Sequence, residues 1–177
     1  VDFVDMTVTS SVEDTFTAAR HMQRAGVKAI VVLGGDGTHR AVVRELIRGV
    51  RQGAAAVPIA GLSTGTNNAY PEMREPTIVA LAVGLYVSGR LDARRALSPN
   101  KALEVAVDGE PRDIAIVDAV IGRDRIVGSR ALWKADSLDA VHLTFADPLA
   151  IGLSAIGGLL SPVGRSGPGG FVVMLAH

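Results

Sequence analysis

Val31-Val32-Leu33-Gly34-Gly35-Asp36-Gly37-Thr38 is the stretch on which the reading of this chain turns. Ala29 to Leu33 is an apolar, β-rich run without polar alternation, the pattern of a strand covered on both faces. Three glycines and one carboxylate follow directly. Glycine lets the backbone take positive φ and lets a phosphate approach without a Cβ in the way. Thr38 is placed to cap a helix predicted over about His39 to Arg48, whose free N–H groups and dipole favour an anion. The expectation is a phosphate-bearing ligand with Asp36 beside it. The plain alternative is a tight strand-to-helix turn with an acidic surface residue.

Outward from that stretch, strands and helices alternate. Ser10 and Glu13 stand at capping-box spacing, Val12, Phe16, Ala19 and Met22 share one helical face, and Gly26 takes the C′ position. Val42, Val43, Leu46 and Ile47 face inward on the helix after the glycines. Val57-Pro58-Ile59-Ala60 is a short strand, Gly61 to Tyr70 a second polar loop, and Thr77 to Ser88 a helix carrying Ile78, Leu81, Ala82 and Leu85 that stops at Gly89. Such alternation implies right-handed βαβ units and a parallel, Rossmann-like sheet.

After about Pro99 the pattern changes. Leu103 to Val107 alternates with period two, Asp108-Gly109 signals a hairpin, and Ile114 to Val117 is the return strand. Further β-like pieces fall at Arg125 to Val127 and Val141 to Phe145. Ile151 to Gly170, rich in Gly and Ser with Pro162 and Pro168, reads as loops between short strands. The fold class is therefore α/β: an α/β domain over 1–98 and a β-rich domain over 99–177. Val1 opens directly in a strand-like run and His177 ends abruptly, so the chain reads as trimmed at both ends and its β-rich domain as incomplete.

Composition narrows the function classes. Apolar residues make up 48% of the 177, enough for a sizeable core. Lys+Arg and Asp+Glu both number 18, and aromatics are 4%, which argues against nucleic acid, anionic membrane surfaces and base-stacking platforms. The absence of cysteine excludes disulfides and thiolate metal sites and is compatible with a cytoplasmic setting. No apolar run reaches the roughly 18 residues of a membrane span. His21, His39, His142 and His177 lack metal-ligand spacing and read as structural or solvated, so no metal site of the protein's own is expected. Trp133 reads as a packing anchor, and Ser154 lies outside any nucleophile-elbow pattern.

The second loop, Gly61-Leu62-Ser63-Thr64-Gly65-Thr66-Asn67-Asn68, offers hydroxyls, carboxamides and exposed backbone N–H groups suited to phosphate oxygens and ribose hydroxyls. It follows a strand, as the first loop does, which puts both at the carboxyl edge where open α/β sheets bind ligands. With Leu33 to Thr38 and Arg40, these loops resemble the superfamily of NAD kinases, diacylglycerol kinases and sphingosine kinases. Together with Ala131-Leu132-Trp133 and Ile151-Gly152-Leu153-Ser154, they are most similar to the ATP-NAD kinase-like proteins of the acetoin-catabolism protein X type.

The resemblance implies a kinase with its active site between an α/β and a β-sandwich-like domain, often assembled as a homo-oligomer. Asp36 would orient or deprotonate an acceptor hydroxyl. Gly34, Gly35, Gly37 and Thr38 would line the nucleotide phosphates, with Arg40 neutralising charge. Ser63, Thr64, Gly65, Thr66, Asn67 and Asn68 would contact nucleotide or substrate. ATP would be the donor and Mg²⁺ the cofactor, the ion held mostly by phosphates and water. The acceptor implied is NAD or a related nucleotide.

Two departures place the chain between branches. Ala115-Ile116-Val117-Asp118-Ala119-Val120 resembles the NAD-kinase strand that carries an Asn-acid pair, but Val117 replaces the asparagine and Asp118 keeps only the acid. Thr64-Gly65-Thr66-Asn67-Asn68 looks more like a lipid-kinase loop, whereas His39-Arg40 replaces the Asn-Glu pair of that branch. A lipid or polyol kinase and a catalytically silent nucleotide-binding protein linked to acetoin catabolism are the alternatives.

Overall fold

The computed structural model describes residues 2–65, 67–124 and 134–175. They divide into two compact units, Val1–Ser98 and Pro99–His177.

In the first unit, α1 (Val12–Arg24) starts one residue later than the capping pattern predicts. Ser11, rather than Ser10, is the N-cap, its hydroxyl accepting from the Glu13 N–H at 3.2 Å. Asp14 rather than Glu13 is the first-turn acid that reaches back, taking the N–H groups of Thr9 and Ser10 and the Thr9 hydroxyl. The spacing of three survives, shifted by one, because Ser10 adopts φ 58 and turns the chain into the helix. The Thr9 hydroxyl, then the Thr9 and Ser10 amides, hold the Asp14 carboxyl below its ordinary value. At the other end Gly26, at φ +71, donates to the Gln23 carbonyl and Val27 to that of Met22. This pair of bonds closes a Schellman motif.

β1 (Ile30–Gly34) and β2 (Ile59–Ser63) pair in parallel, Ile30 opposite Ile59 and Gly34 opposite Ser63. The expectation that β1 is covered on both faces is not met. Ile30 and Val32 are buried, but Val31 is 45% and Leu33 65% exposed. The reason is one-sided packing. A single cluster of Ala19, Ile30, Val32, Val42 and Leu46 gathers α1 and α2 (Asp36–Arg51) onto one face of β1. β2 reaches Ser63, so Gly61 to Ser63 belong to the strand rather than to the loop, because the ladder with β1 runs on to Gly34.

α1 and α2 meet closely around Gln23, which is buried and donates through Nε2 to the carbonyls of Leu46 (3.2 Å) and Ala55 (2.9 Å). A Cβ on Gly49 would lie 2.0 Å from Gln23 Oε1, so a helix-interior glycine makes that approach possible. α3 (Pro76–Val87) is capped by Glu75, which accepts from the Ile78 N–H, and ends before Gly89 at φ +74. Only Val79 of α3 is buried; Ile78, Leu81 and Leu85 are exposed. The short α4 (Ala93–Ala96) has no counterpart in the sequence reading.

In the second unit, β3 (Leu103–Val107) and β4 (Glu110–Ala115) form the hairpin, with Asp108 at φ 55 and Gly109 at φ 82 as required by a type I′ turn. The return strand ends at Ala115, and β5 (Asp118–Gly122) starts after a bend. Ala115 to Val120 is therefore not one strand. Thr144 holds the bend, its hydroxyl donating to the carbonyls of Ile116 and Val117 at 2.9 and 3.0 Å. β6 (Leu138–Leu143) sits between β5 and β7 (Phe171–Met174) in an antiparallel sheet.

α5 (Leu153–Leu160) occupies a segment expected to be loops. A Cβ on Gly157 would lie 2.3 Å from Leu143 Cδ1, and one on Gly158 2.3 Å from the Pro148 nitrogen. These glycines serve close packing inside a helix, which tertiary contact sustains against their low propensity. Lys101 Nζ secures the following loop, donating to the carbonyls of Gly164, Gly167 and Gly169. The expected strand at Arg125 to Val127, and Ala131-Leu132-Trp133, lie outside the described residues. The architecture is mixed α/β, with a parallel pair of strands in one unit and antiparallel sheets of two and three strands in the other.

Candidate functional site at the paired loops

Because β1 and β2 are parallel and in register, their carboxyl ends lie side by side, and the chain leaves both at one edge. α2 begins there, three residues earlier than expected. Gly35 is its N-cap, with extended backbone and no side-chain cap, and Asp36 is its first residue. Thr38 is thus not the cap. Its side chain folds back over Gly34, where a Cβ would come within 2.6 Å of Thr38 Cβ.

Asp36 is half-buried and ties the two loops together. Its Oδ2 accepts the Ala69 N–H and its Oδ1 the Tyr70 N–H, both at 2.9 Å. Asn68 returns the link: its Oδ1 accepts the Asp36 N–H at 3.2 Å, and its Nδ2 donates to Ser63 Oγ at 2.8 Å. Ser63 Oγ in turn donates to the Gly65 carbonyl. A Cβ on Gly35 would meet Asn68 Oδ1 at 2.8 Å, and one on Gly65 would meet Asn68 Nδ2 at 2.7 Å. The room left by Gly34, Gly35 and Gly65 is therefore filled by the protein's own Thr38 and Asn68.

What remains open at the edge is the first turn of α2. The Asp36 N–H is taken by Asn68 and the His39 N–H by the Gly35 carbonyl at 3.1 Å. The Gly37 and Thr38 N–H groups have no partner among the described residues, and both residues are exposed. Two free amides on the dipole axis of a sixteen-residue helix suit an anion such as a phosphate oxygen. Arg40 is half-buried one turn further along α2. Thr64, Gly65 and Asn67 are exposed on the second loop, and Thr66 lies outside the described residues. Asp118 belongs to the second unit, as the first residue of β5, opposite Leu143.

Sequence reasoning missed the acceptor role of Asp36 toward backbone amides and the burial of His39. Glycines at 35, 61 and 65 were the available signal, since each leaves room for a neighbouring side chain. Among the described residues no group of three or more His, Cys, Asp or Glu gathers to hold a metal ion. A cation here fits as one brought by phosphates, with Asp36 as the side chain that would reach it. Each Asp36 oxygen holds one N–H and keeps a lone pair for a coordinated water. No helix of the described residues is long and apolar enough to cross a membrane.

Residues 3–90 match the ATP-NAD kinase N-terminal domain, and residues 101–177 match the acetoin catabolism protein X C-terminal domain. The chain is also similar to acetoin catabolism protein X of Cupriavidus necator, 60% identical over 180 residues, an alignment that takes in 99% of this chain. It covers 48% of that relative, so the chain spans about half the length of the curated protein it matches. No solved structure matches the chain.

Proposed function

We propose a function from one premise: the chain belongs to the ATP-NAD kinase-like family of the acetoin catabolism protein X type. The function is ATP-dependent phosphorylation of a hydroxyl on a small molecule, NAD or a related nucleotide. The observation that carries it is the Asp36 carboxylate, fixed between the two loops beside the free amides of Gly37 and Thr38. The triphosphate tail lies on those two amides, and Arg40 offsets charge that develops on the transferred group. The γ-phosphorus–oxygen bond to ADP breaks as a bond forms to the acceptor oxygen. The hydroxyl proton passes to Asp36. Mg²⁺, carried by the phosphates, supplies charge neutralisation. Positioning and electrostatics supply the catalysis, so a rigidly held carboxylate is the feature the reaction most needs.

The name of the relative ties that protein to acetoin catabolism, and we extend that setting to this chain, as a cytoplasmic homo-oligomer. The test is to incubate the full chain with ATP, Mg²⁺ and NAD, follow NADP formation, and repeat with diacylglycerol and short polyols. Turnover lost in Asp36→Asn, with the variant still folded, supports the reading. A second reading, nucleotide binding without turnover, is favoured by Val117. It replaces the asparagine of the NAD-kinase strand that residues 115–120 resemble in sequence, and it stands at the bend between β4 and β5 with its carbonyl engaged by Thr144. ATP binding with no product from any acceptor would establish that reading instead.

A further inference from the structure

His39 is completely buried in the first turns of α2, and the proposed reaction leaves its chemistry unused. Its Nδ1 lies 2.8 Å from the Gly35 carbonyl. A carbonyl only accepts, so the ring proton is assigned to Nδ1. The His39 backbone N–H reaches the same carbonyl at 3.1 Å, so one residue holds the helix N-cap twice. The ring also stands 5.7 Å from that of Tyr70, tilted by 51°. Tyr70 is the residue whose N–H fixes Asp36 Oδ1.

The other ring nitrogen, Nε2, is buried with no partner among the described residues. It faces Gly61 of β2, where a Cβ would come to 2.6 Å from Nε2 and 3.1 Å from Cδ2. An unpartnered buried nitrogen carries a desolvation cost that a leucine of similar bulk would remove. What leucine would lose is the Nδ1 tether. The cost is kept, and the tether ends on the residue next to Asp36.

We propose that His39 is a positioning residue that fixes the direction of the Asp36 carboxylate. It does so by tying the Gly35 carbonyl to the Tyr70 segment across the gap left by Gly61. The kinetic half of this inference rests on the proposed kinase reaction; the structural half does not.

The experiment compares His39→Asn, which keeps an N–H donor where Nδ1 stood, with His39→Leu, which keeps bulk and no donor. Hydrogen exchange of the full chain reads the Ala69 and Tyr70 amides, which donate to Asp36. His39→Leu is expected to lose about tenfold or more of their protection while the amides of α1 keep theirs. His39→Asn should regain most of that loss. In turnover, His39→Leu should lower kcat about tenfold with the KM for ATP unchanged, and His39→Asn should recover it. Equal impairment of the two variants, or full protection of both amides in His39→Leu, overturns the inference. Should His39→Leu not fold, Gly61→Ala applies the same displacement through its Cβ and should loosen the same two amides. Unchanged protection there overturns it as well. A wild-type chain inactive on every acceptor would remove the kinase reading and leave the exchange result standing on its own.

Discussion

Replacing Asp36 by asparagine is expected to destabilise the first unit as well as stop turnover, and the two effects have separate causes. The carboxylate accepts Ala69 N–H on one oxygen and Tyr70 N–H on the other, both at 2.9 Å. Asparagine keeps a single acceptor. Its NH₂ group must face an amide N–H, so one bond is lost and its donor is left opposed. Hydrogen bonds to charged groups contribute about 1.5–3 kcal/mol each, and neutral ones about 1. Asp36 is half-buried, so the lower end of that range applies. Losing one bond at about 1.5 kcal/mol and weakening the other by about 0.5 gives roughly 2 kcal/mol. In a unit of about a hundred residues, that lowers Tm by roughly 8 °C or more. Thermal unfolding of the full chain followed by circular dichroism, with exchange at Ala69 and Tyr70, measures it. A residue that serves chemistry alone leaves Tm unchanged, or raises it when removed. An Asp36→Asn variant of unchanged or higher Tm would refute the clamp.

Other substitutions test other parts of the fold. Gly158→Ala ought to stabilise a helix by about 1 kcal/mol on propensity. Its Cβ would instead lie 2.3 Å from the Pro148 backbone nitrogen, so a loss of at least about 2 kcal/mol in urea denaturation is expected. At the first loop, Gly37→Ala meets nothing within 4 Å and should leave Tm unchanged or slightly higher while weakening ATP binding in calorimetry. Gly35→Ala, with a Cβ 2.8 Å from Asn68 Oδ1, should lower Tm instead. The carboxyls of Asp14 and Glu75 are both held below their ordinary values, by the Thr9 hydroxyl and by the Thr77 amide respectively. A lowered carboxyl stabilises above its unfolded value and loses that contribution as pH falls through its folded one. Tm should therefore drop as pH falls below about 4, and Asp14→Asn together with Glu75→Gln should flatten that drop.

Legibility in the sequence followed the range of the interactions involved. The strand, the glycine loop and the following helix were readable because β-rich residues, glycines and helix formers act over a few residues. So was the Asp108-Gly109 turn, whose two left-handed positions name their own residue types. The N-cap slipped by one because Ser10 and Ser11 are chemically equal and only the backbone at Ser10 distinguishes them. α5 was unreadable because Gly157 and Gly158 look like loop residues until Leu143 and Pro148 are seen against them. The exposed face of β1 depends on which elements pack beside it, which five apolar residues in a row do not reveal. Asn68 carried no local signal, since Asp36 lies about thirty residues away on another segment, and the burial of His39 depends on Gly61 of β2, which the helix sequence alone does not bring beside it.

The glycines of the two loops look, in one dimension, like space kept for a ligand. In three dimensions Gly35 and Gly65 make room for the Asn68 amide, and Gly61 for the His39 ring. That changes what the loops are for. A flexible glycine loop closes on a phosphate at an entropic cost, whereas these loops are held to each other by the protein's own Asp36 and Asn68. A carboxylate that must meet a hydroxyl in one geometry gains from such advance fixing, since positional error of about 1 Å costs around a hundredfold in rate. The narrow part left to a ligand is the Gly37-Thr38 turn, where both residues are exposed, neither amide has a partner among the described residues, and a Cβ on Gly37 would meet nothing within 4 Å. Rigidity at Asp36 and openness one residue later are thus two consequences of a single arrangement, a helix that begins at its own acidic residue.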